Sequence, residues 1–116
     1  MPILGRNEVN KRKPAPGVEM LDLVNGDLGA QSLSVGELTV AEGMNVPTHI
    51  HPTEEAMVIL EGDLHAVLGE EVISVTSGQT VLAPAGVKHG FMNRSGSSAR
   101  VMAIFPTSNV ERTIVD

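Results

Sequence analysis

Cysteine is absent from this 116-residue chain. Its absence excludes disulfides, thiolate nucleophiles and every zinc or iron–sulfur site built on Cys ligands. Tryptophan and tyrosine are absent too, which excludes a Cys–Tyr crosslink and a tyrosine general acid. Phe91 and Phe105 are the only phenylalanines, so the core must be built from Val, Leu, Ile, Ala and Met. No run of apolar residues is long enough for a transmembrane helix, and no membrane partner is expected. Residues 1–20 lack a long apolar stretch after a basic start, so no secretory signal and a cytoplasmic location are expected. No long segment keeps a helical stripe, and no internal repeat is present.

Positive charge is scarce beyond the first residues. Residues 1–13 carry Arg6, Lys11, Arg12 and Lys13 against Glu8, whereas the remainder is acidic enough to bring the whole chain to −6. An acidic body argues against nucleic acid as a partner. Lys11, Arg12 and Lys13 read as a solvated cluster in an N-terminal arm, residues 1–17, with Pro2, Gly5, Pro14, Pro16 and Gly17 and little periodicity. Residues 18–116 then read as one domain.

That domain is patterned as short strands broken by Gly, Pro and Asn. Candidates are 18–24, 31–40, 55–60, 63–68, 71–75, 80–83, 88–93 and 99–105, with 109–116 as a short strand or a helical turn. Gly36 sits at a change of phase and suggests a bulge. Glu61-Gly62 suggests a hairpin joining 55–60 to 63–68. Eight or so strands in one small domain imply an all-β barrel or sandwich.

The four histidines are His49, His51, His65 and His89. In a strand, residues two apart share a face, so His49, His51 and Glu55 would point together and Glu54 away, although Pro52 interrupts the strand. His89 must come from another strand folding back over the first. Three imidazoles and a carboxylate make a mixed nitrogen–oxygen site for a divalent first-row metal, with iron, manganese, nickel, zinc and copper all compatible. Four protein ligands on an octahedral ion leave two positions for water, oxygen or a bidentate substrate, unlike a closed structural zinc site. His65 alternates against Leu64, Ala66 and Leu68 and is expected to face away, toward solvent or a partner subunit.

Around these ligands stand fixed glycines and prolines: Gly43 before His49 and Gly62 after Glu55, then Gly78, Pro84, Gly86, His89 and Asn93 in order. Together they resemble the two motifs of the cupin family, spanning residues 43–93 with fifteen residues between them. Gln79 stands where the family often has aspartate after the glycine. The resemblance implies a single-domain double-stranded β-helix, a jelly-roll barrel of RmlC-like type, with a metal inside held by His49, His51, Glu55 and His89. Pro84-Ala85-Gly86 is expected to form the bend that aims His89 inward, and Asn93 to serve a turn or bond the backbone.

Parity extends the site. Met57 and Ile59 continue the face of Glu55 and Phe91 that of His89, giving an expected apolar pocket. Glu55 is the one inward carboxylate and the candidate general base. Arg94 and Arg100 flank the second motif in or beside a turn, so no buried arginine clamp is evident. The resemblance implies a metal-dependent enzyme acting on a small chelating substrate by dioxygenase-type oxygenation. Its alternatives are isomerisation or tautomerisation of a sugar derivative and a non-catalytic ligand- or metal-binding module. It also implies a homodimer, with Val58 and Leu60 on the face opposite the metal.

Overall fold

The computed structural model describes residues 2–115. Eleven strands form two antiparallel sheets: β1 (Asn10–Ala15), β2 (Val18–Val24), β3 (Ser34–Val40), β4 (Asn45–Ile50), β5 (Glu55–Glu61), β6 (Asp63–Leu68), β7 (Glu71–Thr76), β8 (Thr80–Ala83), β9 (His89–Met92), β10 (Ala99–Phe105) and β11 (Thr113–Ile114). One sheet has the order β1-β2-β3-β10-β5-β8 and the other β11-β4-β9-β6-β7. This is the expected all-β jelly roll. Among the described residues, the one helical element is a 3-10 turn, Gly26–Leu28, with Leu28 N–H donating to the Asn25 side chain.

Alternation decides which residues fill the barrel. Glu55, Met57 and Ile59 point inward from β5, and Leu64 and Ala66 from β6. His65, between the last two, is half-buried on the outer side, opposite Ser74 and Met92. Ile59, Leu64, Val18, Val40 and Val101 are almost completely buried and pack one half of the barrel solid. Each such side chain contributes roughly 1.5–3 kcal/mol through its removal from water.

Several sequence expectations are corrected by this topology. Glu61-Gly62 does not turn a hairpin, because β5 and β6 belong to different sheets. It is the corner at which the chain crosses between sheets, taken by Gly62 at φ +91°, where an added β-carbon would lie 3.0 Å from Ala99 and from the Ser98 carbonyl oxygen. The hairpin partner of β6 is β7, around Gly69-Glu70. No bulge occurs in β3 at Gly36, whose pairing with β10 is unbroken. The irregularity lies in β2, between Asp22 and Val24, and Gly36 instead leaves room for the Met20 side chain. Within the segment read as an arm, Asn10–Ala15 is a strand paired with β2. Pro14 and three basic residues hide that pairing from a hydrophobic pattern, and both suit a sheet edge.

On the outer face of the six-stranded sheet, Glu37 is 4% exposed. Arg6 folds over it with a two-nitrogen fork, and Arg100 approaches it at 3.4 Å. Those guanidinium groups, the Arg6 bond foremost, hold the Glu37 carboxyl below its usual range despite burial.

Candidate metal centre

The four candidate ligands meet at one end of the barrel. Their ligand atoms lie within 4.8 Å of one another, and all four residues are buried. His49 comes from β4, His51 from the residue after it, Glu55 from the start of β5 and His89 from the start of β9.

The convergence of His49, His51 and Glu55 is not that of a continuous strand, because β4 ends at Ile50 and Glu55 opens β5 in the other sheet. The pairing of β4 with β9 slips by one residue between Val46 and His49, a bulge containing Pro47. Both Val46 and His49 therefore point inward although their numbers differ in parity. Gly90 makes the bulge possible: a β-carbon there would lie 2.6 Å from the Val46 carbonyl oxygen. The bend Pro84-Ala85-Gly86 packs onto the site itself, with Gly86 N–H donating to the His51 carbonyl at 2.9 Å.

The ring orientations define the chemistry. Each imidazole donates from Nδ1 to a backbone carbonyl: His49 to Pro47 at 2.7 Å, His89 to Val87 at 3.0 Å and His51 to Glu111 at 2.6 Å. A carbonyl only accepts, so every Nδ1 carries hydrogen and every Nε2 is turned inward. The partners of His49 and His89 lie two residues away, whereas that of His51 lies sixty residues along the chain. Glu111 belongs to a strap after β10, tied down by Ser34 Oγ on Thr107 O, Gly26 N–H on Ser108 O and Val115 N–H on Thr48 O. The Phe105 ring packs edge-on against His51 at 4.9 Å between centroids.

Three inward Nε2 atoms and a carboxylate concentrate lone pairs and negative charge on one point. Glu55 Oε1 lies 2.8 Å from His89 Nε2 and 3.3 Å from His51 Nε2. Burial would raise the Glu55 carboxyl, but the two histidines more than offset it and its pKa is lowered. Burial would likewise lower His89, but the bonds to Glu55 and Val87 prevail and its pKa is raised. His49, mainly through desolvation, is pushed down to about 4. His89 Nε2 and Glu55 Oε1, 2.8 Å apart, are placed to share one proton. This donor set fits a divalent transition ion, whose binding would displace that proton.

The site opens on a cavity of about 410 Å³. Met57 and Phe91 line it, with Met20, Leu38 and Phe105 adding apolar wall. Ile59 does not line it: one pleat deeper on β5, it belongs to the packed half and is 1% exposed. Glu55 Oε2 has no bond among the described residues, and no buried polar atom among them is left unpaired. That oxygen is therefore open to the cavity, as is His49 Nε2. Asn93 is 1% exposed and bonds Val40 O, Ser97 O and Ser95, knitting the loop after β9 as expected of a backbone-bonding residue.

Sequence reasoning missed the cavity's rim. Arg12 of β1 and Arg112 before β11 both line its mouth, joined by Asp22 and Asp27. Only a parity count on β1 could have placed Arg12, and β1 was not visible as a strand.

The chain matches the family described as Cupin domain over residues 36–105. No curated protein matches the sequence. Among solved structures, the polyketide cyclase RemF from Streptomyces resistomycificus is 25% identical, with TM-score 0.82 over 100% of this chain and 87% of that one. A sugar phosphate isomerase of the cupin superfamily from Silicibacter pomeroyi is 22% identical, with TM-score 0.82 over 99% of this chain and 82% of that one. The oxalate decarboxylase of Lactobacillus farciminis is 14% identical with TM-score 0.85, covering 94% of this chain but 34% of that one. The last two likenesses speak to the fold alone. Among the described residues, no helix is long and apolar enough to cross a membrane.

Proposed function

The chain belongs to the cupin family, and from that membership and its four-ligand centre we propose a metal-dependent enzyme that acts on a small substrate chelating through two oxygens. The observation that carries this reading is the inward set of three Nε2 atoms and one carboxylate facing an apolar-walled cavity. His49, His51, Glu55 and His89 would hold a divalent ion, each imidazole ring fixed through Nδ1, and the ion would supply Lewis acidity to a chelated carbonyl oxygen. Glu55, kept ionised by its histidine neighbours, offers Oε2 to the cavity as the base for a proton beside that carbonyl. Met57, Phe91 and Leu38 exclude water and seat the carbon skeleton.

Redox-neutral proton transfer, as in cyclisation or isomerisation, is the reaction class we favour, because the likeness to the polyketide cyclase runs the full length of the chain. Dioxygenase-type oxygenation is the second reading, supported by a ligand set that leaves two positions on an octahedral ion. Metal analysis of protein purified without chelator, beside His51→Ala and His89→Ala, tests the centre. Near-stoichiometric metal lost in both variants is expected; no uptake even on reconstitution would sink the enzyme reading and leave a binding module. Oxygen uptake with a diketone or enol substrate separates the two reactions.

Two copies pairing through the outer face of the six-stranded sheet would cover Val58, Leu60 and the 55% exposed Leu82. Sedimentation at micromolar concentration should give a dimer, and a monomer would refute that arrangement.

A further inference from the structure

Two guanidinium groups frame the cavity mouth, one from an edge strand of each sheet's side: Arg12 on β1 and Arg112 beside β11. Arg12 stands opposite Met20 in the β1–β2 ladder, and cross-strand partners share a face. Met20 points into the barrel, so Arg12 lies on the cavity side of its sheet. Its Nε sits 3.1 Å from both carboxylate oxygens of Asp22, which Asn10 Nδ2 also holds at 2.9 Å. The contact fixes the plane of the guanidinium through Nε and leaves both terminal nitrogens without a bond to any described residue.

Arg112 reaches across the mouth to the Pro14 carbonyl at 3.5 Å, and no carboxylate pairs with it among the described residues. The charge of Asp22 is spent on Arg12, so Asp27 on the 3-10 turn is the one remaining rim carboxylate. A guanidinium with two free, coplanar donors matches a carboxylate or phosphate better than any other small group.

We propose that the substrate carries an anionic group, carboxylate or phosphate, that docks between Arg12 and Arg112 at the far end of the cavity from its chelating oxygens. This names the substrate class for the centre proposed above and rests on that reading for the chelating end alone. Arg12 and Arg112 act as positioning residues, setting the register of the substrate in the cavity. Asp22 and Asn10 preset the Arg12 fork, and Asp27 weakens binding of anions that do not reach both arginines.

The test separates the two ends. Chelator-treated full-length protein is titrated with inorganic phosphate and, separately, with glutarate, following backbone amide NMR signals. Signals of residues 10–13, 15 and 110–113 should shift. Arg112→Gln, which breaks no ion pair, should weaken binding roughly tenfold, as should Arg12→Gln, on the scale of a lost charge-assisted hydrogen bond. Arg12→Lys should recover only part, and Asp27→Asn should tighten binding. Because the titration is made on metal-free protein, failure of the metal centre leaves this result standing. A response to phosphate but not glutarate identifies a phosphorylated substrate, and the converse a dicarboxylate-like one. Shifts elsewhere, or affinities indifferent to both arginine variants, would overturn the proposal.

Discussion

Replacing Gly90 with alanine tests how the barrel aims its ligands. The new β-carbon would lie 2.6 Å from the Val46 carbonyl oxygen and 3.3 Å from the Pro47 carbonyl, both backbone groups. The first contact is about 0.8 Å inside the 3.4 Å at which ordinary contact begins. Neither neighbour can rotate away, so β4 and β9 must separate at the bulge. His49 hangs from one side of that bulge and His89 pairs directly opposite it. Overpacking of this kind costs about 1–3 kcal/mol. Metal affinity should fall by roughly tenfold or more, the scale on which groups orienting a ligand histidine act. Urea unfolding of metal-free protein and competitive metal titration measure the two effects. Gly96→Ala, with nothing within 4 Å of its added carbon, is the matched control. A Gly90→Ala protein as stable as the control, with parental metal affinity, would refute the claim that the bulge positions the ligands.

Three further outcomes are expected. Deleting residues 107–116 removes the carbonyl that orients His51 and should lower metal affinity roughly 10–100-fold by competitive titration, with the barrel's circular dichroism retained. Glu37 has a folded pKa below the usual 4.5, so its stabilisation is present above that value and lost as pH falls through the folded pKa. Urea midpoints should therefore differ between wild type and Glu37→Gln at pH 7 and converge in acid. In metal-free protein, NMR of the ring protons should show His49 titrating near 4 and His89 above its usual 6.5.

The ligand set and the barrel were legible because both are written in local patterns. Alternation along β5 and β6 sorts inside from outside with no knowledge of neighbours, and it sorts Met57 and His65 correctly. What escaped were relations between distant segments. Glu55 shares the site with His49 and His51 although it lies on another sheet, so the parity count reached the right residue across a break in the strand that it did not describe. A glycine after a strand signals a reversal without revealing which sheet the chain enters next, hence the misread corner at Gly62. Ile59 has the same periodicity as Met57, and only depth separates a wall residue from a core residue. Arg12, Arg112 and the Glu111 carbonyl reach the cavity through pairings that no short window contains.

The Glu111–His51 bond also has a meaning in time. All four ligand residues have been synthesised by position 89, yet the ring of His51 gains its oriented form only when position 111 comes to rest on the barrel. A chain whose strap has not yet docked keeps His49 and His89 oriented by carbonyls two residues away, while the ring of His51 stays free to turn. Order at the centre is therefore completed last at His51, by a segment sixty residues further along the chain.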